Sequence, residues 1–263
     1  MTEIIVITSG KGGVGKTTTT ANLGTGLALL GKKVVLLDAD IGLRNLDLIL
    51  GLENRIVYDL VKVAEGKCRL KQALVKGKHN DNLYLLPAAQ TRDKDAVSPE
   101  QMKEICSELS EEFDYILIDC PAGIEQGFKN AIAAANRAII VSTPDVSSVR
   151  DADRVIGLWE GEGKGSPSLI INRFKSEMVQ RGEMISTQDM LDILAVPLIG
   201  VIPEDEGTVV ASNNGEPIIL RKDSVTRQVY LDIVRRIMGE EVPFKSYNKE
   251  KGFLGKIKGL FGG

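Results

Sequence analysis

Short apolar runs recur along the chain, each closing on a polar or glycine-bearing cluster: IIVIT (4–8), KVVLLD (33–38), LYLLP (83–87), YILID (115–119), AIIVST (138–143), SLIIN (168–172) and LIGVI (198–202). Hydrophobicity within each run is continuous, not alternating, which predicts strands covered on both faces, the habit of a parallel sheet. Helical periodicity fills the intervals. It is clearest in SPEQMKEICSELSEEFD (98–114), where Ser98 suits an N-cap, Pro99 the first helical position and Gln101 the far side of a capping box. Met102, Ile105, Leu109 and Phe113 then fall on one helix face. Strand and helix in alternation predict right-handed crossovers and an α/β fold. The expected form is an open, mostly parallel sheet of about seven or eight strands with helices on both faces. The chain shows no internal repeat. Its pattern divides into a domain over 1–240, a polar tether over 241–251 and a distinct C-terminal segment over 252–263.

The first expected strand runs into SGKGGVGKTTTT (9–20), which fits G-x-x-x-x-G-K-[ST] through Gly10, Gly15, Lys16 and Thr17. Glycines there let backbone N–H groups turn inward around phosphate oxygens, and the following helix adds its N-terminal dipole. In such a loop the lysine, Lys16, reaches the β- and γ-phosphates and the hydroxyl of Thr17 ligates Mg²⁺. YILIDCPAG supplies the acid that such a site needs, an apolar strand ending in Asp119, with Gly123 able to offer a backbone N–H to the γ-phosphate. Asp38 and Asp40 follow the second strand, at the sheet edge where ligands of open α/β sheets bind. From chemistry alone these two could orient an attacking water, support Mg²⁺, or only shape a loop. No N/T-K-x-D string for guanine is present; NKEK (248–251) lacks the aspartate, so the expected nucleotide is ATP.

Composition narrows the picture by exclusion. Apolar content of 43% and charged content of 26% are ordinary for a soluble globular protein, and a net charge of −3 gives no global reason for nucleic-acid binding. Cys68, Cys106 and Cys120 are far apart with no CxxC, which argues against a zinc ribbon or a redox pair and for buried, reduced thiols. His79 lies in a polar stretch and reads as a solvated loop residue. With neither a signal peptide nor a stretch near the ~20 apolar residues of a membrane span, the expected location is cytoplasmic.

Lys11 narrows the chemistry further. A lysine near the front of the loop, as in KGGVGKTT, is similar to the deviant phosphate-loop pattern of the MinD/ParA family of ATPases. The chain resembles the septum-site branch of that family over nearly its whole length. The resemblance rests on VITSGKGGVGKTT, DADIGLRNLDLILG, QTRDKDA (90–96), DCPAGIE (119–125), SSVRDADR (147–154), GVIPED (200–205), ASNNGEP (211–217) and KGFLGKIKGLFGG. It implies a Mg²⁺-dependent ATPase that dimerises on ATP and positions the division site. Its implied partners are MinC and MinE and an anionic membrane surface on the cytoplasmic side, without specific nucleic acid. Residue by residue, it implies that Lys11 crosses a dimer interface to the partner's phosphates and that Asp40 positions the hydrolytic water. Asp38 and Asp119 would serve the Mg²⁺ shell with Thr17. The loop residues Gly10, Lys11, Gly12, Gly13, Val14, Gly15, Lys16, Thr17 and Thr18 would cradle phosphate. Asn172, Pro203, Glu204 and Asp205 would hold the adenine. An Asn amide suits that task, since it can accept from the N6 amino group and donate to N1. The stretch EGEGKGSP (160–167) departs from the family pattern as a short, glycine-rich loop. A ParA-type DNA-partitioning ATPase is the alternative reading; a small-molecule ligase of the same architecture is a third.

The C-terminal segment bears on that choice. Residues 244–263 hold five lysines against one acid, a local +4 in a chain of net −3 that leaves −7 for the rest. On a helical wheel Phe253, Leu254, Ile257, Leu260 and Phe261 fit an arc of about 120°, with Lys251 and Lys258 opposite. That pattern predicts an in-plane membrane helix; a helix packed on the protein's own core is the other reading. One copy would bind weakly, and two held in a dimer would gain avidity on the order of 10²–10⁴.

Overall fold

The computed structural model describes residues 2–92 and 96–244. Its strands are β1 (Glu3–Thr8), β2 (Val34–Asp38), β3 (Val75–Lys76), β4 (Leu83–Leu86), β5 (Tyr115–Asp119), β6 (Arg137–Ser142), β7 (Ser168–Phe174) and β8 (Leu198–Pro203). The helices are α1 (Lys16–Leu29), α2 (Leu46–Leu50), α3 (Leu60–Ala64), α4 (Leu70–Ala73), α5 (Pro99–Leu109), α6 (Gln126–Ala134), α7 (Val146–Gly161), α8 (Ser176–Gln180), α9 (Thr187–Leu194), α10 (Glu206–Asn213) and α11 (Val225–Ile237).

Among the described residues the strands form one eight-stranded sheet in the order β3-β4-β2-β5-β1-β6-β7-β8, parallel throughout except where β3 pairs antiparallel with β4. The continuous apolar runs have a direct cause. In β1, Val6 feeds the core on one face while Ile5 and Ile7 feed the other; in β2, Val35 and Leu37 face one way and Val34 and Leu36 the opposite way. Both faces are covered, so the strand interiors are apolar at every position and the buried polar residues Asp38 and Asp119 come only at the carboxyl ends. One core is closed by Ile105, Phe128 and Trp159 from α5, α6 and α7; the other by Leu23 and Leu27 of α1 with Val229, Tyr230 and Ile233 of α11.

The capping box at the start of α5 forms as the pattern predicts. Gln101 donates its backbone N–H to Ser98 Oγ at 3.2 Å, and Ser98 returns its own to Gln101 Oε1 at 2.8 Å. The helix stops earlier than the apolar spacing suggests, because Ser110 caps it and donates its hydroxyl to the Cys106 carbonyl at 2.7 Å. Phe113 still packs inside, edge-on to Tyr84 with ring centres 5.3 Å apart. The edge strand β3 is an addition, two residues long and too short to leave a periodic signal.

Cys106 and Cys120 are buried, and burial pushes both thiols up to about 12. Cys68 departs from the expectation in being only half-buried. His79 is exposed. Among the described residues no helix is long and apolar enough to cross a membrane. The tether beyond Phe244 and the C-terminal segment, with Phe253, Leu254, Ile257, Leu260 and Phe261, lie outside the described residues.

From β1 the chain crosses to β2 on one side, and from β5 it crosses back to β6 on the other. The loops after β1, β2 and β5 therefore converge at the carboxyl edge of the sheet, where a parallel sheet leaves a crevice.

Candidate functional site

The loop Ser9–Gly15 leaves β1 and turns directly into α1, whose first residue is Lys16. Gly13 and Gly15 carry φ of 78° and 96°, left-handed values that a Cβ would strain. A Cβ on Gly10 would collide with the Asp151 backbone, and one on Gly15 with the Asn172 amide. The glycines are thus set by both the turn and close neighbours. Ser9 braces the loop by donating its hydroxyl to the Lys11 carbonyl at 2.7 Å. Lys16 is buried, only 8% exposed, at the mouth of α1.

Two carboxylates face each other beside it. Asp38 and Asp119 are register partners on β2 and β5 and both are buried. Burial raises the Asp38 carboxyl well above the usual carboxylate range, and the neighbouring Asp119 adds to the effect, while the N–H groups of Asp40 and Leu46, at 3.0 and 3.4 Å, offset part of it. Burial likewise pushes Asp119 up to about 6, opposed by hydroxyls of Thr17 and Thr20 and by the charge of Lys16. Thr20 donates to Asp119 Oδ1 at 3.2 Å. Buried carboxylates with hydroxyls at hand are a hard, all-oxygen donor set, which fits Mg²⁺. Among the described residues no group of three or more His, Cys, Asp or Glu could form a complete cage. Asp40 stands half-buried just past the end of β2.

Lys11 points away from this cluster. Its Nζ lies 2.7 Å from Ser147 Oγ and 3.4 Å from Asp145 Oδ1, at the N-terminus of α7. Asp145 caps that helix, accepting the Ser148 N–H at 3.0 Å and the hydroxyls of Ser147 and Thr143, each at 2.7 Å. Partial burial would raise the Asp145 carboxyl, yet these donors hold it well below the usual carboxylate range. Asp145, Ser147 and Thr20 carry no label in the sequence beyond a capping pattern and a threonine run; only the fold brings them to the loop.

A cavity of about 200 Å³ opens on the far side of Gly15, lined by Thr18, Asn172, Arg173, Pro203, Glu204 and Asp205 together with α10 and Tyr230. The residues expected to hold a base do gather here, but two are already engaged. Asn172 donates its side-chain N–H to the Val14 carbonyl at 2.8 Å and accepts the Arg173 N–H at 2.9 Å. Its amide anchors the phosphate loop, so a base contact requires that amide to let go. Asp205 caps α10, accepting the Gly207 N–H at 2.8 Å, and also takes the Thr226 hydroxyl at 2.6 Å. Arg173, a neighbour that no sequence pattern marks, is in the left-handed region at φ 57°.

Residues 2–157 match the family model described as AAA domain. The septum site-determining protein MinD of Bacillus subtilis is 54% identical over 265 residues, covering 100% of this chain and 99% of that one. The MinC:MinD cell division protein complex of Aquifex aeolicus superposes with a TM-score of 0.88 at 54% identity, covering 93% of this chain and 99% of that chain. MinD of Pyrococcus horikoshii, solved with Mg-ADP, gives 0.82 at 32% identity over 90% and 96% of the two chains. The glycine loop, the carboxylate pair and the forward lysine thus sit in a scaffold shared from end to end. The chain belongs to the septum site-determining MinD branch of the MinD/ParA family of P-loop ATPases.

Proposed function

We propose that this chain is an ATP-driven switch: it binds and hydrolyses ATP, pairs with a second copy in the ATP state, and then holds a membrane surface and recruits a MinC-type inhibitor until a MinE-type partner stimulates hydrolysis. The observation that carries the reading is the convergence of the glycine loop, Lys16, Asp38, Asp40 and Asp119 at one sheet edge, with Lys11 held to the side.

Each residue then has a task. Backbone N–H groups from Gly10 to Thr18 would surround the phosphates, and Lys16 would supply the nearest cation. Mg²⁺, bound through Thr17 and Asp119 with Asp38 behind them, would neutralise charge on the β- and γ-phosphates. Asp40 opens the loop that Asp38 fixes through two backbone N–H groups, a placement suited to orienting a water. Lys11 is tied to Ser147 and Asp145 only through a half-exposed contact, which contributes little. Release toward a second copy's phosphates therefore costs little. Because the same contact sits on the α7 cap, Lys11 release is felt at the helix bearing SSVRDADR, the stretch suited to partner proteins. The Aquifex relative, solved in complex with MinC, supports such a partner.

The last described residues bear on the membrane step. Arg236 donates to the carbonyls of Ile199 and Val242, both at 2.9 Å, and of Pro243 at 3.1 Å, with its guanidinium 4.0 Å from the Phe244 ring centre. Ile199 is at the start of β8, so the chain leaves the body at the sheet end opposite the phosphate loop. Nucleotide would then control the amphipathic segment by pairing two copies, not by touching it. Co-sedimentation with anionic liposomes tests the whole reading: pelleting with ATP and not with ADP is expected, and equal pelleting in both would refute it.

A further inference from the structure

The glycine-rich stretch 160–167 does more than connect α7 to β7. Lys164, half-buried within it, reaches back to the end of α6. Its Nζ donates to the carbonyls of Ile132 at 2.5 Å, Ala135 at 2.8 Å and Ala133 at 3.3 Å. A helix end leaves such carbonyls without partners, at the negative pole of its dipole. The last turn of α6 has no basic residue of its own, so the cation arrives from 32 residues beyond Ile132. The same ammonium lies 5.3 Å from the ring centre of Trp159, a buried side chain of α7. Burial holds Lys164 below the usual lysine range, opposed by Glu162 and reinforced by Lys103. One side chain thus joins two helices that pack chiefly on different neighbours, α6 on α5 and α7 on β6 and α9.

The two ends of α6 are held unequally. At the near end Glu125 gives no side-chain cap, and the loop before it meets the phosphate loop through the Gly123 N–H, 3.4 Å from the Ser9 carbonyl. Midway, Asn130 donates to the Val97 carbonyl at 2.7 Å. Gly127 rests so closely on Pro121 that a Cβ there would meet the proline ring, so the loop follows the helix. Where α6 is pinned therefore decides where residues 120–125 stand, directly after Asp119. We propose that Lys164 is a positioning residue for ATP hydrolysis: it pins the far ends of α6 and α7 together, sets the 120–125 loop against the γ-phosphate and ties movement of that loop to α7. Both helices begin at the phosphate edge, α6 after Gly123 and α7 at the Asp145 cap that holds Lys11. The lysine gives these two beginnings a common far end.

The inference rests on the ATPase reading, and the test separates the two. Lys164→Met keeps the stem over Trp159 and removes the ammonium. It should bind Mg-ADP within about twofold of the wild type, because the glycine loop and Lys16 are untouched. Single-turnover hydrolysis of Mg-ATP should fall on the order of tenfold, the mark of a group slightly misplaced. Lys164→Arg, which retains a cation able to donate to the carbonyls, should recover most of the rate, and Lys164→Gln should show a smaller loss than Lys164→Met. In hydrogen exchange, Mg-bound β,γ-imido-ATP should protect the last turn of α7 more than Mg-ADP does in the wild type. Lys164→Met should lose that difference there and keep it over 119–126. Wild-type hydrolysis in Lys164→Met, or ADP affinity falling in step with the rate, would overturn the inference alone. So would a nucleotide-linked difference in α7 that survives the substitution or is absent from the wild type. A wild-type protein that did not hydrolyse ATP would overturn it together with the ATPase reading.

Discussion

The phosphate end and the base end of the crevice are built by opposite means. At the phosphate end the ligands-to-be are backbone groups and buried charges: the Gly10–Gly15 loop, Lys16 and the facing carboxylates Asp38 and Asp119. At the base end two of the polar side chains that line the cavity already bond to the protein, Asn172 to Val14 and Asp205 to Gly207 and Thr226. The first end spends stability to hold charges that need a ligand; the second end is a satisfied scaffold that shapes a cavity. Disturbing the first should therefore change binding or rate by orders of magnitude, and disturbing the second by about tenfold or less.

The largest effect is expected from Lys16→Ala. It removes a buried cation from the centre of the phosphate site, and charge-assisted contacts of this kind contribute most in a dry site. Calorimetry should find ADP and pyrophosphate binding reduced at least about a hundredfold. Unchanged affinity would remove the phosphate-loop assignment and the comparison with it.

Asp40→Ala should separate binding from chemistry. Asp38 fixes the loop by accepting the backbone N–H groups of Asp40 and Leu46, neither of which the truncation removes. ATP affinity should hold within a few fold while single-turnover hydrolysis falls on the order of a hundredfold, the penalty of a misplaced water. A variant that hydrolyses at the wild-type rate would take the water-orienting role from Asp40.

How much of this was legible in the chain differs between the two ends for the same reason. Continuous apolar runs announce strands dry on both faces, and the carboxyl ends of those strands carry Gly10–Thr18, Asp38 and Asp119, so position and chemistry coincide in sequence. The helix cap of Ser98 and Gln101 is local as well and can be read in four letters. At the base end, function depends on pairs far apart in sequence, 158 residues from Asn172 to Val14 and 21 from Asp205 to Thr226. No periodicity encodes those contacts. The left-handed turn at Arg173 leaves no trace either, because it is imposed by a bulge in β7 and an acceptor at the preceding residue, not by a glycine. The Lys11 contact is of the same kind: its partners at 145 and 147 are legible as a helix cap, yet only the fold delivers the lysine to them.

The stored electrostatic cost at the phosphate end can be read from pH. Burial lifts Asp119 from its ordinary 3.8 to about 6. Between those values the unfolded chain has released the proton and the folded protein keeps it, so stability falls as pH rises from about 4 to 6 and levels off above. The cost belongs to the Asp38–Asp119 pair, since Asp119 also raises Asp38. Asp119→Asn should remove it: in thermal melts without Mg²⁺, the variant gains on the wild type across that window and keeps the gain at pH 7. Saturating Mg-ADP should reverse the ranking, because it stabilises the ionised acid. A pH-independent difference between the two proteins would mean that Asp119 is not held at a cost.

The smallest effect, and the sharpest test of the base end, is expected from Asp205→Ala. The substitution deletes the cap on α10, about 1 kcal/mol, and the acceptor for the Thr226 hydroxyl, about 1 more. The apo protein should melt several degrees lower, since each kcal/mol shifts a chain of this size by about 2–4 °C. Thr226→Val leaves the cap in place and should show only the second share. Because α10 forms one wall of the cavity, both variants should weaken Mg-ADP by a few fold. Mg-pyrophosphate, which needs nothing beyond the loop and Lys16, should bind as it does to the wild type. If its affinity fell in step with that of ADP, the phosphate end would depend on the scaffold beside it, and the division between a strained half and a satisfied half would not hold.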